Sequence, residues 1–267
     1  MPPLRVGLIG FGAIGQGVAE MARAGKAGET HIDAVLVRGD GKVSRAAANQ
    51  YGVSVYTDAS AFLGRNLDVV VEAARAAAVR QHGEAVLAAG CDLVVASVGA
   101  LSDAELLERL GAAARASGGR VLIPSGAIAA LDAISAAALE DIDEVVHTTR
   151  KPPAAFSAEQ LGPEPLDGPR LLYDGPARDG VRRFPENVNV AAAVSLAGIG
   201  LDRTLLRIFA DPSVTRNTHC VEVRGYFGRL ELRIENLPTA NPKTGRLVAL
   251  SIAKALRNLS ASVIVGV

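Results

Sequence analysis

Short apolar runs alternate with longer stretches of helical periodicity through the first 120 or so residues. Leu4-Arg5-Val6-Gly7-Leu8-Ile9 is apolar apart from Arg5 and reads as a buried strand. Similar runs recur at 32–37, 53–56, 68–72, 93–97 and 121–123. Between them, 16–23, 44–51 and 76–89 read as helices, the last ended by Gly90. A further helix runs from a Ser102 cap to about residue 116, where Gly118-Gly119 stop it. Buried strands separated by helices predict a parallel, doubly wound sheet.

The pattern changes after Ile123. An Ala-rich helix is expected over 127–139 and a strand over 144–150, ended by Lys151-Pro152-Pro153. Residues 154–180 read as loop with little regular structure before Arg178. A helix over 190–197 precedes strands at 204–210, 219–224 and 229–235, the last two joined by Gly225-Tyr226-Phe227-Gly228. Leu230, Leu232 and Ile234 face one way while Glu231, Arg233 and Glu235 face the other, as in a half-exposed antiparallel strand. A long helix over 246–259 closes the chain. The reading is a dinucleotide-binding domain over 1–123, completed by 240–267. A smaller α+β catalytic and dimerisation domain with an open, largely antiparallel sheet would occupy 124–239.

Gly10-Phe11-Gly12-Ala13-Ile14-Gly15 lies between the first strand and the first helix. Gly-x-Gly-x-x-Gly in that context is a Rossmann-type dinucleotide fingerprint. Gly10 permits the turn, Gly12 lets a pyrophosphate approach the backbone, and Gly15 lets the helix pack against the strand. The helix N-terminus, with Ala13 and Ile14 in its first turn, favours negative charge. After the second strand an acidic residue would select NAD; Arg38 stands there, with Gly39 and Asp40. Arg38 suits a 2′-phosphate or is a solvated loop charge, so NAD and NADP both stay open. Ala73-Ala74, Ser97-Val98-Gly99 and Pro124-Ser125-Gly126 share the carboxyl edge of the sheet, where ligands bind in this fold.

Composition narrows the classes. The 267 residues carry 28 basic and 28 acidic side chains and 4% aromatics with no Trp, which argues against nucleic-acid binding. Cys91 and Cys220 form no metal-ligand spacing and read as small buried residues; no metal is expected. No leader precedes the first strand and no apolar run spans a bilayer, so a cytoplasmic protein without a membrane partner is expected.

Four histidines are present. His31 and His82 read as structural or exposed. His219 shares a strand face with Val221 and Val223, which suits a satisfied core histidine or a proton-transfer group. Lys151, Lys243 and Arg150 could bind substrate carboxylates or be solvated. Asn187 and Asn189 could bind a carboxamide or cap the following helix.

Several blocks together resemble the L-aspartate dehydrogenase family. They are Gly10 to Gly15, Ser97-Val98-Gly99-Ala100-Leu101, Pro124-Ser125-Gly126-Ala127-Ile128, Arg150-Lys151-Pro152, Pro185-Glu186-Asn187-Val188-Asn189-Val190-Ala191, Asn217-Thr218-His219 and Asn241-Pro242-Lys243-Thr244. The blocks keep the family's order and run nearly the full length. The resemblance implies oxidation of L-aspartate by NAD or NADP to iminoaspartate. That product is hydrolysed to oxaloacetate and ammonia or enters quinolinate and NAD synthesis. It implies His219 as the active-site histidine, Ala127 and Asn189 as cofactor contacts, and a homodimer. On this reading the first domain holds the cofactor with Gly10, Gly12, Ala13, Ile14, Gly15, Arg38 and Ala73. The second brings His219 over it, with Lys151, Asn187 and Lys243 as candidates for substrate. The alternatives are a homoserine dehydrogenase or dihydrodipicolinate reductase type of enzyme, or a non-catalytic nucleotide-binding regulator.

Overall fold

Six strands pair in parallel in the order β3-β2-β1-β4-β5-β6. They are β1 (Leu4–Ile9), β2 (Thr30–Leu36), β3 (Ser54–Tyr56), β4 (Val69–Glu72), β5 (Asp92–Val95) and β6 (Val121–Leu122). The computed structural model describes residues 2–39, 46, 48–184, 188–237 and 245–266. Strand order reverses between β1 and β4, which opens a crevice at their carboxyl ends. The helices are α1 (Ala13–Arg23), α2 (Ala59–Leu63), α3 (Ala76–Ala88) and α4 (Ala104–Ser117). α1 buries Gly15, Val18 and Ala19, three and four residues apart on one face. α4 buries Leu106, Leu110 and Ala114 in the same way.

The chain folds as two units, residues 1–126 with 248–267, and residues 127–247. In the first, the final helix supplies Ile252, Ala253 and Leu256 to the core that holds Val6, Leu8, Val18 and Val71.

The second unit contains α5 (Leu131–Ala137), β7 (Ile142–Lys151), α6 (Ala158–Leu161), β8 (Arg170–Pro176), α7 (Ala177–Arg183), α8 (Asn189–Ala197), β9 (Leu205–Ala210), β10 (Asn217–Gly225) and β11 (Gly228–Asn236). α9 (Arg246–Ser260) begins here and continues into the first unit. The five strands order as β11-β10-β7-β9-β8. All neighbours are antiparallel except β7 and β9, so the sheet is open and largely antiparallel, as the patterning predicts. Val145, Val221 and Val223 on one face pack with Ile134, Val190 and Val194 from α5 and α8.

Several expected elements differ. Residues 154–180 are not loop: β8 forms the sheet edge there, followed at once by α7. A register shift between Leu171 and Tyr173 breaks its two-residue alternation, and Gly175-Pro176 end it, so the strand signal is weak. The helix expected over 127–139 is only α5, because Ala127 and Ile128 are held by tertiary contacts. The Asn236 side-chain amide donates to the Ala127 carbonyl at 2.8 Å, Ile128 is fully buried, and Ala130 has φ +57°. The cap of α4 is Asp103, which accepts from the Leu106 amide, while Ser102 belongs to a 3₁₀ turn over Val98–Ser102. Of the helix expected over 44–51, residues 46 and 48–50 are helical; residues 44, 45 and 47 lie outside the described set.

Candidate active site

Gly10, at the end of β1, has φ +91°, and a Cβ there would lie 2.8 Å from the Ala74 Cβ and 3.0 Å from the Ala73 carbonyl oxygen. A Cβ on Gly15 would sit 2.5 Å from the Gly10 carbonyl oxygen, so helix and turn close on each other only through glycine. Gly12 differs: its φ is −82°, and a Cβ there would meet nothing within 4 Å. It is the N-cap of α1, with no side-chain cap and no acidic residue in the first turn. α2 and α4, by contrast, are capped by Asp58 and Asp103. The first amides of α1 therefore border open space and suit a phosphate. The fingerprint residues fit a dinucleotide on this ground. Ala73 lies beside the turn, its amide donating to the Ile9 carbonyl at 2.9 Å. Arg38 is exposed just after β2.

Glu72 is a part of this edge that sequence reasoning read only as a strand end. Its carboxylate is fully buried and accepts from the Ala74 amide at 2.8 Å, the Ser97 amide at 2.9 Å and the Ser97 hydroxyl at 2.9 Å. One side chain thus ties the loops after β4 and β5 together. Burial pushes its pKa up, against these hydrogen bonds, which pull it down. Glu72→Ala should strand the Ala74 and Ser97 amides and lower unfolding free energy by about 2 kcal/mol or more. Denaturant titration checks this, and an unchanged midpoint would show that the carboxylate holds nothing.

In the second unit, β7 places His147, Thr149 and Lys151 on the same face as Val145, the face that packs against α5 and α8. β10 pairs His219 with Thr149 and Val221 with His147, so His219 lies on the same face. The two imidazoles are buried and meet: His147 Nε2 lies 3.2 Å from His219 Nδ1, with ring centroids 5.4 Å apart and planes at 29°. Lys151 is 8% exposed and is a diagonal cross-strand neighbour of His219. Burial pushes the His147 pKa down to about 3, and the Lys151 charge adds to the shift. Burial likewise holds His219 well below the ordinary range, helped by His147 and Lys151. Both shifts favour the neutral form of the rings.

Other candidates are placed differently. Arg150 lies on the opposite face of β7, bridged to Asp211 at 3.2 Å and stacked on Phe209, so it is not free for substrate. Asn189 is the first residue of α8, whose N-cap is Val188, so Asn189 is not the capping residue. Ala127 is tied to Asn236, which pairs with Asn217 at the start of β10, two residues before His219. Asn187 and Lys243 lie outside the described residues. His31 is exposed beside Asp33 at 3.4 Å. Cys91 is buried and its thiol donates to the Leu67 carbonyl, whereas Cys220 is half-buried. Among the described residues no cluster suits a metal, and no helix is long and apolar enough to cross a membrane.

Comparison with known proteins bears on both units. A family model described as aspartate dehydrogenase, C-terminal, matches residues 132–259. One described as homoserine dehydrogenase, NAD binding domain, matches residues 10–124. The L-aspartate dehydrogenase 2 of Bordetella pertussis is 41% identical, covering 98% of this chain and 99% of its own. The L-aspartate dehydrogenase of Methanosarcina barkeri is 40% identical over the same shares. The chain belongs to the L-aspartate dehydrogenase family. A crystal structure of aspartate dehydrogenase from Thermotoga maritima is similar throughout, with TM-score 0.79, 27% identity, and coverage of 98% and 99% of the two chains. An amine dehydrogenase from Mycobacterium smegmatis shares the fold, with TM-score 0.59 at 16% identity.

In this L-aspartate dehydrogenase family chain the buried histidine pair makes a prediction about pH. An imidazole whose folded pKa lies below its unfolded value of 6.5 takes up its proton more readily when the chain is unfolded. Its contribution to stability is complete above pH 6.5 and drains away as pH falls towards about 3. Unfolding free energy should therefore fall below pH 6.5, by roughly 1 kcal/mol per pH unit for each imidazole. Denaturant titrations from pH 7.5 to 4 measure the slope, which His147→Leu should make shallower; an equal slope in that variant would rule the pair out as its source.

Proposed function

We infer that the chain oxidises L-aspartate with NAD or NADP at the amine-bearing carbon. The product, iminoaspartate, is hydrolysed to oxaloacetate and ammonia or passed on to pyridine nucleotide biosynthesis. The observation that carries this reading is end-to-end identity of about 41% to L-aspartate dehydrogenases, which spans both units. The match of residues 10–124 to a homoserine dehydrogenase NAD-binding model describes a nucleotide unit that enzymes with other substrates also use, so the second unit decides the substrate.

The chain's own residues have distinct tasks. Gly10, Gly12 and Gly15 shape the turn, and the first amides of α1, at Ala13 and Ile14, take the pyrophosphate. Ala73 and the loops held by Glu72 border it, and Arg38 stands where a ribose 2′-substituent is read. When bound, the nicotinamide supplies the hydride acceptor. His219 contacts the substrate, in surroundings that exclude water and strengthen its hydrogen bonds. Lys151, Asn187 and Lys243 offer positive charge and hydrogen bonds to the two carboxylates, and Ala127 and Asn189 adjoin the cofactor. We take the enzyme to be a cytoplasmic homodimer. Half-buried Leu205 and Phe209 on the outer sheet face support the dimer, and sedimentation of the full chain tests it.

The test is loss of NADH absorbance with oxaloacetate and ammonium, each omitted in turn, then with NADPH. Oxidation that requires both supports the reading. Oxidation without ammonium points to a hydroxy-acid dehydrogenase, and bound NADH with no turnover to another substrate or to a regulator.

A further inference from the structure

The contact between His147 and His219 can be drawn in two ways. Each neutral imidazole carries one N–H, so one ring donates and the other accepts. If His219 donated from Nδ1, the proton on His147 would move to its own Nδ1. That atom is fully buried and has no partner among the described residues. An orphaned buried N–H is rarer and more costly than a bare acceptor nitrogen in the same place. If His147 donates from Nε2 instead, its Nδ1 is the bare nitrogen, and the N–H of His219 lies on Nε2. We propose that His147 fixes His219 in the Nε2–H tautomer, so that His219 serves as a neutral hydrogen-bond donor to a substrate carboxylate oxygen and not as a proton acceptor.

The surroundings fit this arrangement. The rings are nearly parallel, at 29°, and completely or almost completely buried, so neither swings freely. Lys151 lies two residues beyond Thr149, the cross-strand partner of His219, and its charge opposes an imidazolium on either ring. Thr149 and Val221, opposite the two histidines, bring no counter-charge. His147 is thus a positioning residue. It acts through the tautomer of its neighbour, and the assignment rests on the reading that His219 belongs to the active site.

The experiment is nitrogen–proton correlation spectroscopy of the full chain labelled at histidine nitrogens, at neutral pH, with signals assigned from His147→Gln and His219→Gln. The expected result is a bare Nδ1 and a protonated Nε2 on both rings. A protonated Nδ1 on His219, or an imidazolium on either ring, overturns the proposal. In His147→Leu the His219 signals should shift to a mixture of tautomers, and kcat/KM for aspartate should fall about 10-fold or more with NADH affinity unmoved. His147→Gln restores an N–H donor and should recover most of that loss. If these variants fail to fold, sequential assignment of the uniformly labelled, unaltered protein identifies the two rings, and its spectrum decides alone. The two readings fail separately. Normal turnover in His219→Ala would remove the active-site assignment and leave the spectrum as it is. A protonated Nδ1 with an inactive His219→Ala would remove only the tautomer.

Discussion

His219→Ala should lower turnover with aspartate by ~10²-fold or more while NADH binds nearly as before. The separation follows from where the parts lie. His219 is on β10 of the second unit, whereas the glycine turn and the α1 amides belong to the first. A hydrogen bond made in a dry, low-dielectric site is worth more than the same bond in water, so its loss falls on the reacting complex. The substitution also removes the partner of His147 Nε2 and leaves a buried ring whose nitrogens have no partner among the described residues. A stability loss of about 1–3 kcal/mol should accompany it. Turnover is therefore measured well below the melting temperature of the variant, beside its NADH affinity. Near-normal turnover would sink the assignment, and a parallel loss of NADH affinity would show that the effect is not local to the second unit.

Gly12→Asp should stabilise the protein slightly and weaken NADH binding by ~10²-fold, roughly 3 kcal/mol. The two effects have opposite signs because one position serves two purposes. Gly12 is the N-cap of α1 in extended backbone, and a Cβ there meets nothing, so aspartate fits without strain. Its carboxylate would cap the first-turn amides and complement the helix dipole, worth a few tenths to about 1 kcal/mol. The same carboxylate occupies the amides meant for the pyrophosphate and repels it. Gly15→Ala should behave differently, because the added Cβ strikes the Gly10 backbone oxygen and the fold itself must shift. Thermal melts and NADH titrations of both variants make the comparison. Unimpaired NADH binding in Gly12→Asp would mean that this helix end does not hold the cofactor.

The parallel sheet was legible in the sequence because its central strands, β1, β4 and β5, are short and mainly apolar runs that bury both faces, separated by helices that glycine or a cap punctuates. The hairpin of β10 and β11 was legible for a different reason: its alternation is strict, and Gly225 and Gly228 bracket a two-residue turn. β8 escaped because its bulge disrupts the very period that reveals strands. α2 escaped because five residues are too few to show helical periodicity. His219 was placed on the correct face by counting in twos. His147 lies on a strand that was also expected, and the same counting puts it on the face of Thr149 and Lys151. What was missing was register. Which residue of β7 meets which residue of β10 is set across 72 positions of chain, and no local pattern carries it. Glu72 was hidden similarly, since its meaning comes from Ser97, which it meets only after β4 and β5 pair.

The final helix has a consequence for biosynthesis. All six strands of the first unit have left the ribosome once residue 122 has emerged, yet Ile252, Ala253 and Leu256, which seal its core against Val6, Val18 and Val71, are translated only after the whole of the second unit. The second unit, wholly encoded between those two stretches, is available to fold first. A nascent chain halted at its close carries a finished second unit and an unsealed first one. Emergence of α9, more than synthesis of the glycine turn, is then the moment at which the first unit can complete its core.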